Sequence, residues 1–110
     1  LDTDVFINSG CTLLATGGIK IGSKVLIGPG VKICTANHAL DPTERFKGEG
    51  SLKPVTIGNN AWIGAGAIIL PGVTIADNCV IGAGSVFTID TLPDSLNAGN
   101  PAVLKKKITV

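Results

Sequence analysis

Bulky apolar residues recur at every sixth position along much of this chain. The series runs Ile21, Ile27 and Ile33, resumes at Ile57, and continues through Ile63, Ile69, Ile75 and Ile81 to Phe87. Glycine often follows the anchor, at Gly22, Gly28, Gly58, Gly64 and Gly82. Four residues after the anchor stands a small or β-branched side chain: Val25, Val31, Ala61, Ala67, Val73, Cys79 or Ser85. An amphipathic helix repeats at about 3.6 residues and a half-buried strand at about two, so a sustained period of six fits neither a helix bundle nor a sandwich. A fixed short repeat marks a solenoid, and six is the period of a β-helix in which each hexad supplies one short strand and one corner.

Three hexads make one coil, and counting in this way predicts four coils, at 3–20, 21–38, 57–74 and 75–92. The first coil is irregular in this register, with Thr3 and Ser9 at anchor positions, and is expected to be a frayed cap. Ile and Val suit parallel strands, whereas runs such as Gly58-Asn59-Asn60 and Asp77-Asn78 suit corners with unusual backbone dihedrals. The register breaks once. At 39–56 a polar loop holding Asp41, Glu44, Arg45, Lys47, Glu49 and Lys53 is expected to project from one face and build a binding site there. The chain reads as a single all-β domain, 1–110, with that loop and a C-terminal tail at 93–110.

A solenoid of 110 residues has a narrow core, so oligomerisation is expected to supply part of its stability. A formal net charge of +1 and an aromatic content of 4% argue against nucleic acid or an anionic membrane as partner. Mean hydropathy is high at +0.45, but Gly and Pro interrupt every apolar stretch well short of the ~18 residues of a membrane span. No secretory leader pattern is visible at the start, which opens with Asp2 and Asp4. Cys11, Cys34 and Cys79 lack CxxC spacing and are expected to be reduced packing residues of a cytoplasmic protein.

Candidate chemistry centres on His38, the only histidine, in the run Thr35-Ala36-Asn37-His38 at the base of the polar loop. A histidine at a corner of an Ile, Val and Gly solenoid has no packing reason to be there, and imidazole suits general base catalysis near neutral pH. A single histidine also leaves a three-histidine zinc site out of reach within one chain, so no metal is expected.

The segment 35–45, TANHALDPTER, resembles the T-A-x-H-P-L-x-P-x-x-R segment of the bacterial sugar O-acetyltransferases, the maltose and galactoside acetyltransferases of the hexapeptide-repeat class. The likeness continues through 53–64 (KPVTIGNNAWIG) and 71–75 (PGVTI) to 98–102 (AGNPA). The resemblance implies a left-handed parallel β-helix assembled as a homotrimer, with acetyl-coenzyme A lying along the outside of the prism between two subunits. It implies direct acetyl transfer to a hydroxyl of a sugar or sugar-like acceptor, without an acyl-enzyme. His38 would be the general base, and Asn8 would contact the acceptor near the reacting hydroxyl. Trp62 would lie against the pantetheine arm, with backbone groups at Ala65 and Ala83 bonded to it. Thr88 and Lys106 match positions near the adenosine and its 3′-phosphate. Acetylation of an amine or of an antibiotic hydroxyl stays open as an alternative, as does a non-catalytic scaffold or binding protein.

The chain departs from the family pattern in two ways. Ile89 stands where a basic residue often follows the threonine, and Val103 stands at an arginine-type position, so Lys105 to Lys107 are expected to supply the phosphate contacts. The sugar acetyltransferases also carry a helical segment of several dozen residues before the prism. This chain starts at the first coil, which leaves a fragment and a minimal family member both open.

Coil arithmetic adds a constraint of its own. Asn8 and Trp62 each close the first hexad of a coil, which puts them on one edge of the prism, two rungs or roughly 10 Å apart. His38 closes a third hexad and belongs to a different edge. One chain is therefore not expected to bring His38 to Asn8, whereas a neighbour in a threefold trimer can.

Overall fold

The computed structural model describes residues 3–48 and 50–109; Asp2 and the loop residue Glu49 lie outside this set. The repeat folds as strands of mostly two or three residues separated by tight corners. In chain order these are β1 (Phe6–Ile7), β2 (Thr12–Leu14), β3 (Ile19–Ile21), β4 (Leu26–Ile27), β5 (Lys32–Cys34) and β6 (Ala36–His38). A short helix α1 (Pro42–Phe46) follows, and then β7 (Gly50–Leu52), β8 (Val55–Ile57), β9 (Trp62–Ile63), β10 (Ile68–Ile69) and β11 (Thr74–Ile75). The series ends with β12 (Val80–Ile81), β13 (Val86–Phe87), β14 (Ser95–Gly99) and β15 (Ala102–Lys107).

Within the prism, from β1 to β5 and from β8 to β14, successive strands lie on different faces, and strands one coil apart pair in parallel. The first face stacks β1, β4, β9, β12 and β14, with β15 added antiparallel at the end. The second stacks β2, β5, β10 and β13, and the third stacks β3, β8 and β11. The result is a three-faced parallel β-helix.

Inside, each face contributes one column. On the first face, Ile7, Ile27, Ile63 and Ile81 lie in register, and on the second, Leu13, Ile33, Ile69 and Phe87 do. The nine anchors of the repeat are all buried, from Ile21 at 3% exposure to Ile63, Ile69 and Ile75 at 0%. The small residues four positions later fill the corners between columns, and Val25, Val31, Ala67 and Cys79 are wholly buried. Such burial is worth roughly 1.5–3 kcal/mol for each isoleucine, and the columns supply the driving force of the fold.

The corners repeat as faithfully as the strands. Asp4, Lys24, Asn60, Asn78 and Asp94 form one corner column, all at positive φ between 55° and 60°. Side chains tie its rungs together: Asn60 Nδ2 donates to Asn78 Oδ1 at 3.1 Å, and Asn78 Nδ2 donates to Asp94 Oδ1 at 2.7 Å.

The first coil is not the frayed cap expected from Thr3 and Ser9. Its anchors are Ile7 and Leu13, and β1 and β2 pair in parallel with β4 and β5. The step from Leu13 to Ile21 is eight residues instead of six. A turn absorbs the two extra residues: Gly18 N–H donates to Ala15 O at 2.8 Å, and Gly17 N–H donates to Thr35 Oγ1 at 2.8 Å. Counting sixes backwards from Ile21 therefore misplaces the register of everything before that turn.

The loop expected at 39–56 also shifts. The excursion is a hairpin of β6 against β7, with α1 between them, while Val55 to Ile57 already belong to the prism. Thr35 anchors its neck. Fully buried, its hydroxyl donates to Leu14 O at 2.6 Å, and its carbonyl accepts from Lys53 N–H at 2.8 Å. Asp41 caps α1 by accepting from Glu44 N–H at 2.9 Å, and Pro42 starts the helix. The tail expected at 93–110 is largely ordered strand: β14 and β15 form an antiparallel hairpin against the last coil. All three cysteines are free, with Cys79 buried and Cys11 and Cys34 half-buried.

Candidate functional site

The outward side of the first face carries a second column, one residue before the inward anchors. Phe6, Leu26, Trp62, Val80, Leu96 and Lys106 follow one another in register. Phe6, Leu26 and Trp62 are each more than half exposed, so three large apolar side chains stand in a row on the surface.

Beside that column the strands end in glycine. Gly28 N–H donates to Ile63 O and Gly64 N–H to Ile81 O, each at 2.8 Å, and Gly82 N–H donates to Asn97 O at 2.9 Å. A Cβ on Gly28 would stand 2.8 Å from Ala65 N, and one on Gly64 would stand 2.7 Å from Ala83 N. Only glycine allows rungs this close here, and Gly28, Gly64 and Gly82 form part of the floor of a trough of about 640 Å³ along the face. Phe6, Leu26 and Trp62 wall it on one side, Ala65 and Ala83 on the other, with Asn8 at its N-terminal end.

Four of the residues singled out from the sequence thus share one surface: Asn8, Trp62, Ala65 and Ala83. The coil count puts Asn8 in register with Trp62. The structure puts Phe6 there instead, two rungs before Trp62, and Asn8 two residues further along the same face, because the count was misplaced before the turn at Gly17-Gly18. Lys106 stands in the same outward column at its C-terminal end, opposite Leu96. Thr88 does not line the trough; it follows β13 on the second face and is exposed.

His38 is elsewhere. It ends β6 on the protruding hairpin, exposed, and lines a separate cavity of about 260 Å³ with Ala36, Asn37, Gly48, Gly50, Ser51 and Leu52. The trough contains no ionisable side chain. Within one chain it can bind an elongated, mostly apolar molecule but has nothing to move a proton. The single imidazole sits where it can reach a molecule outside its own trough. Among the described residues, no group of three or more His, Cys, Asp or Glu side chains is placed to hold a metal ion.

Phe6, Leu26 and Pro29 were not foreseen as trough residues. A signal existed for Phe6 and Leu26, since each stands directly before a first-face anchor as Trp62 stands before Ile63, but none for Pro29. The misplaced first coil hid Phe6, and with it the start of the column.

Comparison with known proteins bears on the repeat and the fold. The family model described as bacterial transferase hexapeptide (six repeats) matches residues 54–88. The maltose O-acetyltransferase structure from Clostridium difficile 630 is 46% identical and superposes with a TM-score of 0.97, covering 99% of this chain and 58% of that one. Residues 54–88 thus carry the hexapeptide repeat of that family, and the whole chain superposes on a protein that shares it. The left-handed winding expected from the sequence is consistent with the structures of this family.

A second hexapeptide-repeat structure, an acetyltransferase of Vibrio cholerae O1 biovar eltor complexed with acetyl coenzyme A, is 39% identical. Its TM-score is 0.93 over 99% of this chain and 60% of that one. Among sequence relatives, nodulation protein L of Rhizobium leguminosarum bv. viciae is 52% identical over 101 residues, which is 92% of this chain and 53% of the relative. The hexapeptide-repeat chain described here therefore spans about half the length of the relatives it matches. No helix among its described residues is long and apolar enough to cross a membrane.

Proposed function

We propose that this protein transfers the acetyl group of acetyl-coenzyme A to a hydroxyl of a sugar or sugar-like acceptor, at sites formed between neighbouring subunits of a homotrimer. One observation carries this reading: the apolar trough and the only imidazole lie on different parts of the same chain. The trough, with Trp62 and the backbone at Ala65 and Ala83, suits the thin, alternating apolar and amide-bearing pantetheine arm. Lys106, at the end of the same column, would meet the phosphates as a point charge. A hairpin projecting from a neighbouring subunit would bring His38 over the mouth of that trough, beside Asn8.

In this arrangement His38 accepts the proton of the acceptor hydroxyl while the hydroxyl oxygen attacks the thioester carbonyl carbon. The new C–O bond forms, the C–S bond breaks, and the proton leaves with the coenzyme A thiolate as free thiol. Asn8 positions the acceptor, and backbone N–H groups at the trough edge stabilise the developing oxyanion. Ile89 and Val103 offer no charge to the nucleotide end, so phosphate recognition falls to Lys105, Lys106 and Lys107. The free cysteines fit a reducing compartment, and we place the reaction in the cytoplasm.

The test is thiol release from acetyl-coenzyme A with a panel of sugars, for wild type and His38→Ala, with the mass of each assembly measured in parallel. Loss of about 10²–10⁴ in turnover by an intact assembly is the expected result. Full activity in the variant removes His38 as the base, and full activity in a monomer removes the inter-subunit site.

A further inference from the structure

The two breaks in the repeat lie against one another. One is the enlarged turn at 14–18 in the first coil; the other is the hairpin that carries His38, which leaves the prism after Thr35 and returns at Val55. Thr35 joins them. Wholly buried, its hydroxyl donates to Leu14 O at 2.6 Å and accepts from Gly17 N–H at 2.8 Å. On the returning strand, Val55 N–H donates to Gly18 O at 3.0 Å. A Cβ on Gly17 would stand 2.9 Å from Thr35 O and 3.1 Å from Lys53 N, so glycine lets the turn approach both strands of the neck.

Beyond the neck the hairpin stands clear of its own prism. α1 buries none of its residues, and Leu40 and Phe46 are 95% and 94% exposed. Among the described residues, no hydrogen bond joins the hairpin to the prism other than those at the neck. His38 is the third residue after Thr35. Three residues of strand put it roughly 10 Å from that pivot, so a tilt of about 6° at the neck moves the imidazole by about 1 Å. A displacement of about 1 Å at a reacting group can cost ~10²-fold in rate.

We propose that Thr35, seated in the enlarged turn of the first coil, is the positioning residue that aims His38. The inference rests on the acetyltransferase reading and adds to it the part of the chain that holds the base in place. The position requires a hydroxyl because the side chain must donate to Leu14 O and accept from Gly17 N–H at once. Thr35→Val keeps the branched shape and leaves both backbone groups without that partner, which frees the neck to tilt. Thr35→Ser keeps the hydroxyl and both bonds. Gly17→Ala leaves the hydroxyl in place but drives the turn away from it.

The experiment compares wild type with Thr35→Val, Thr35→Ser, Gly17→Ala and Thr91→Val, with the assembly mass checked for each. Thr91 is the control: in the last coil its hydroxyl also accepts a backbone N–H, that of Ala76, at 2.9 Å. The expected result is a kcat lowered about 10–10²-fold in Thr35→Val and Gly17→Ala, with the KM for acetyl-coenzyme A within about twofold of wild type. Thr35→Ser and Thr91→Val should hold kcat within about threefold of wild type. The single histidine also gives one set of imidazole NMR signals, which should move in Thr35→Val and Gly17→Ala and stay in place in the other two. Gly17→Ala gives the same readings if Thr35→Val does not assemble. An unchanged kcat with unmoved ring signals in Thr35→Val or Gly17→Ala overturns the proposal. So do equal losses of kcat in Thr35→Val and Thr91→Val, which would mark a general effect of lost stability. Wild type inactive on every acceptor would end the acetyltransferase reading, while the ring signals would still decide whether Thr35 fixes the imidazole. Wild type active with kcat unchanged in Thr35→Val would end only this inference.

Discussion

In Gly64→Ala the new methyl group would stand 2.6 Å from the carbonyl oxygen of Ile81, 2.7 Å from Ala83 N and 3.0 Å from Ala83 Cα. All three atoms are backbone of the next rung, and none can rotate away. The two rungs must separate, and the bond from Gly64 N–H to Ile81 O, now 2.8 Å, lengthens or breaks. Losing one such bond costs about 1 kcal/mol net. Overpacking a tight interior costs a further ~1–3 kcal/mol. Against this, alanine restricts the unfolded chain and returns roughly 0.4–1 kcal/mol. The expected net loss is about 2–3 kcal/mol, a large share of the ~5–15 kcal/mol that holds a domain together. Gly66 is the control. A Cβ there would meet nothing within 4 Å, but the residue sits at φ +70°. Gly66→Ala should cost only the left-handed backbone penalty of about 1–2 kcal/mol, and Gly66→Asn less, because asparagine tolerates that region. Urea unfolding at one fixed chain concentration, followed by the fluorescence of the single tryptophan, measures all three variants. A Gly64→Ala variant within about 0.5 kcal/mol of wild type, or one less costly than Gly66→Ala, would refute the claim that glycine is there for close rung approach.

Two further perturbations test the trough and the corners separately. Trp62→Ala removes the largest wall of the trough and should raise the KM for acetyl-coenzyme A about tenfold, equivalent to ~1.4 kcal/mol, with the KM for the acceptor little changed; an unchanged KM for the donor would move the pantetheine site away from Trp62. Lys24 is the odd member of a corner column otherwise made of Asn and Asp, at φ 59°. Lys24→Asn should therefore stabilise the fold by about 0.5–1 kcal/mol in the same urea assay, and a loss of stability would show that the lysine side chain has a contact worth more than the backbone strain.

The parts of this structure that could be read from the sequence are those where one residue's environment repeats. Ile63 is buried for the same reason as Ile27 and Ile81, and three instances of one cause make a pattern that survives noise. The columns from Ile21 onward and the corner residues follow from that periodicity. Where the period changes, the reasoning fails in proportion. Two added residues between Leu13 and Ile21 hid the anchors Ile7 and Leu13, and with them the outward position of Phe6. The hairpin has no period at all. Nothing in the run from Ala36 to Leu52 announces that His38 lies opposite Gly50, because strand pairing there is set by the neck, where buried Thr35 accepts from Lys53 N–H, and by the capped turn of α1. The separation of His38 from the trough could be foreseen by counting coils, and it bears on what a single chain can do. A chain whose imidazole lies outside the apolar trough would, if it acetylates through that trough as proposed, have to lend the imidazole to another copy. Mixing His38→Ala with an Asn8→Ala, Trp62→Ala double variant therefore gives a decisive readout. Each is inactive alone if the site is shared, and mixed trimers regain activity at those interfaces where an intact hairpin meets an intact trough. If the sites lie within single chains, no mixture regains any.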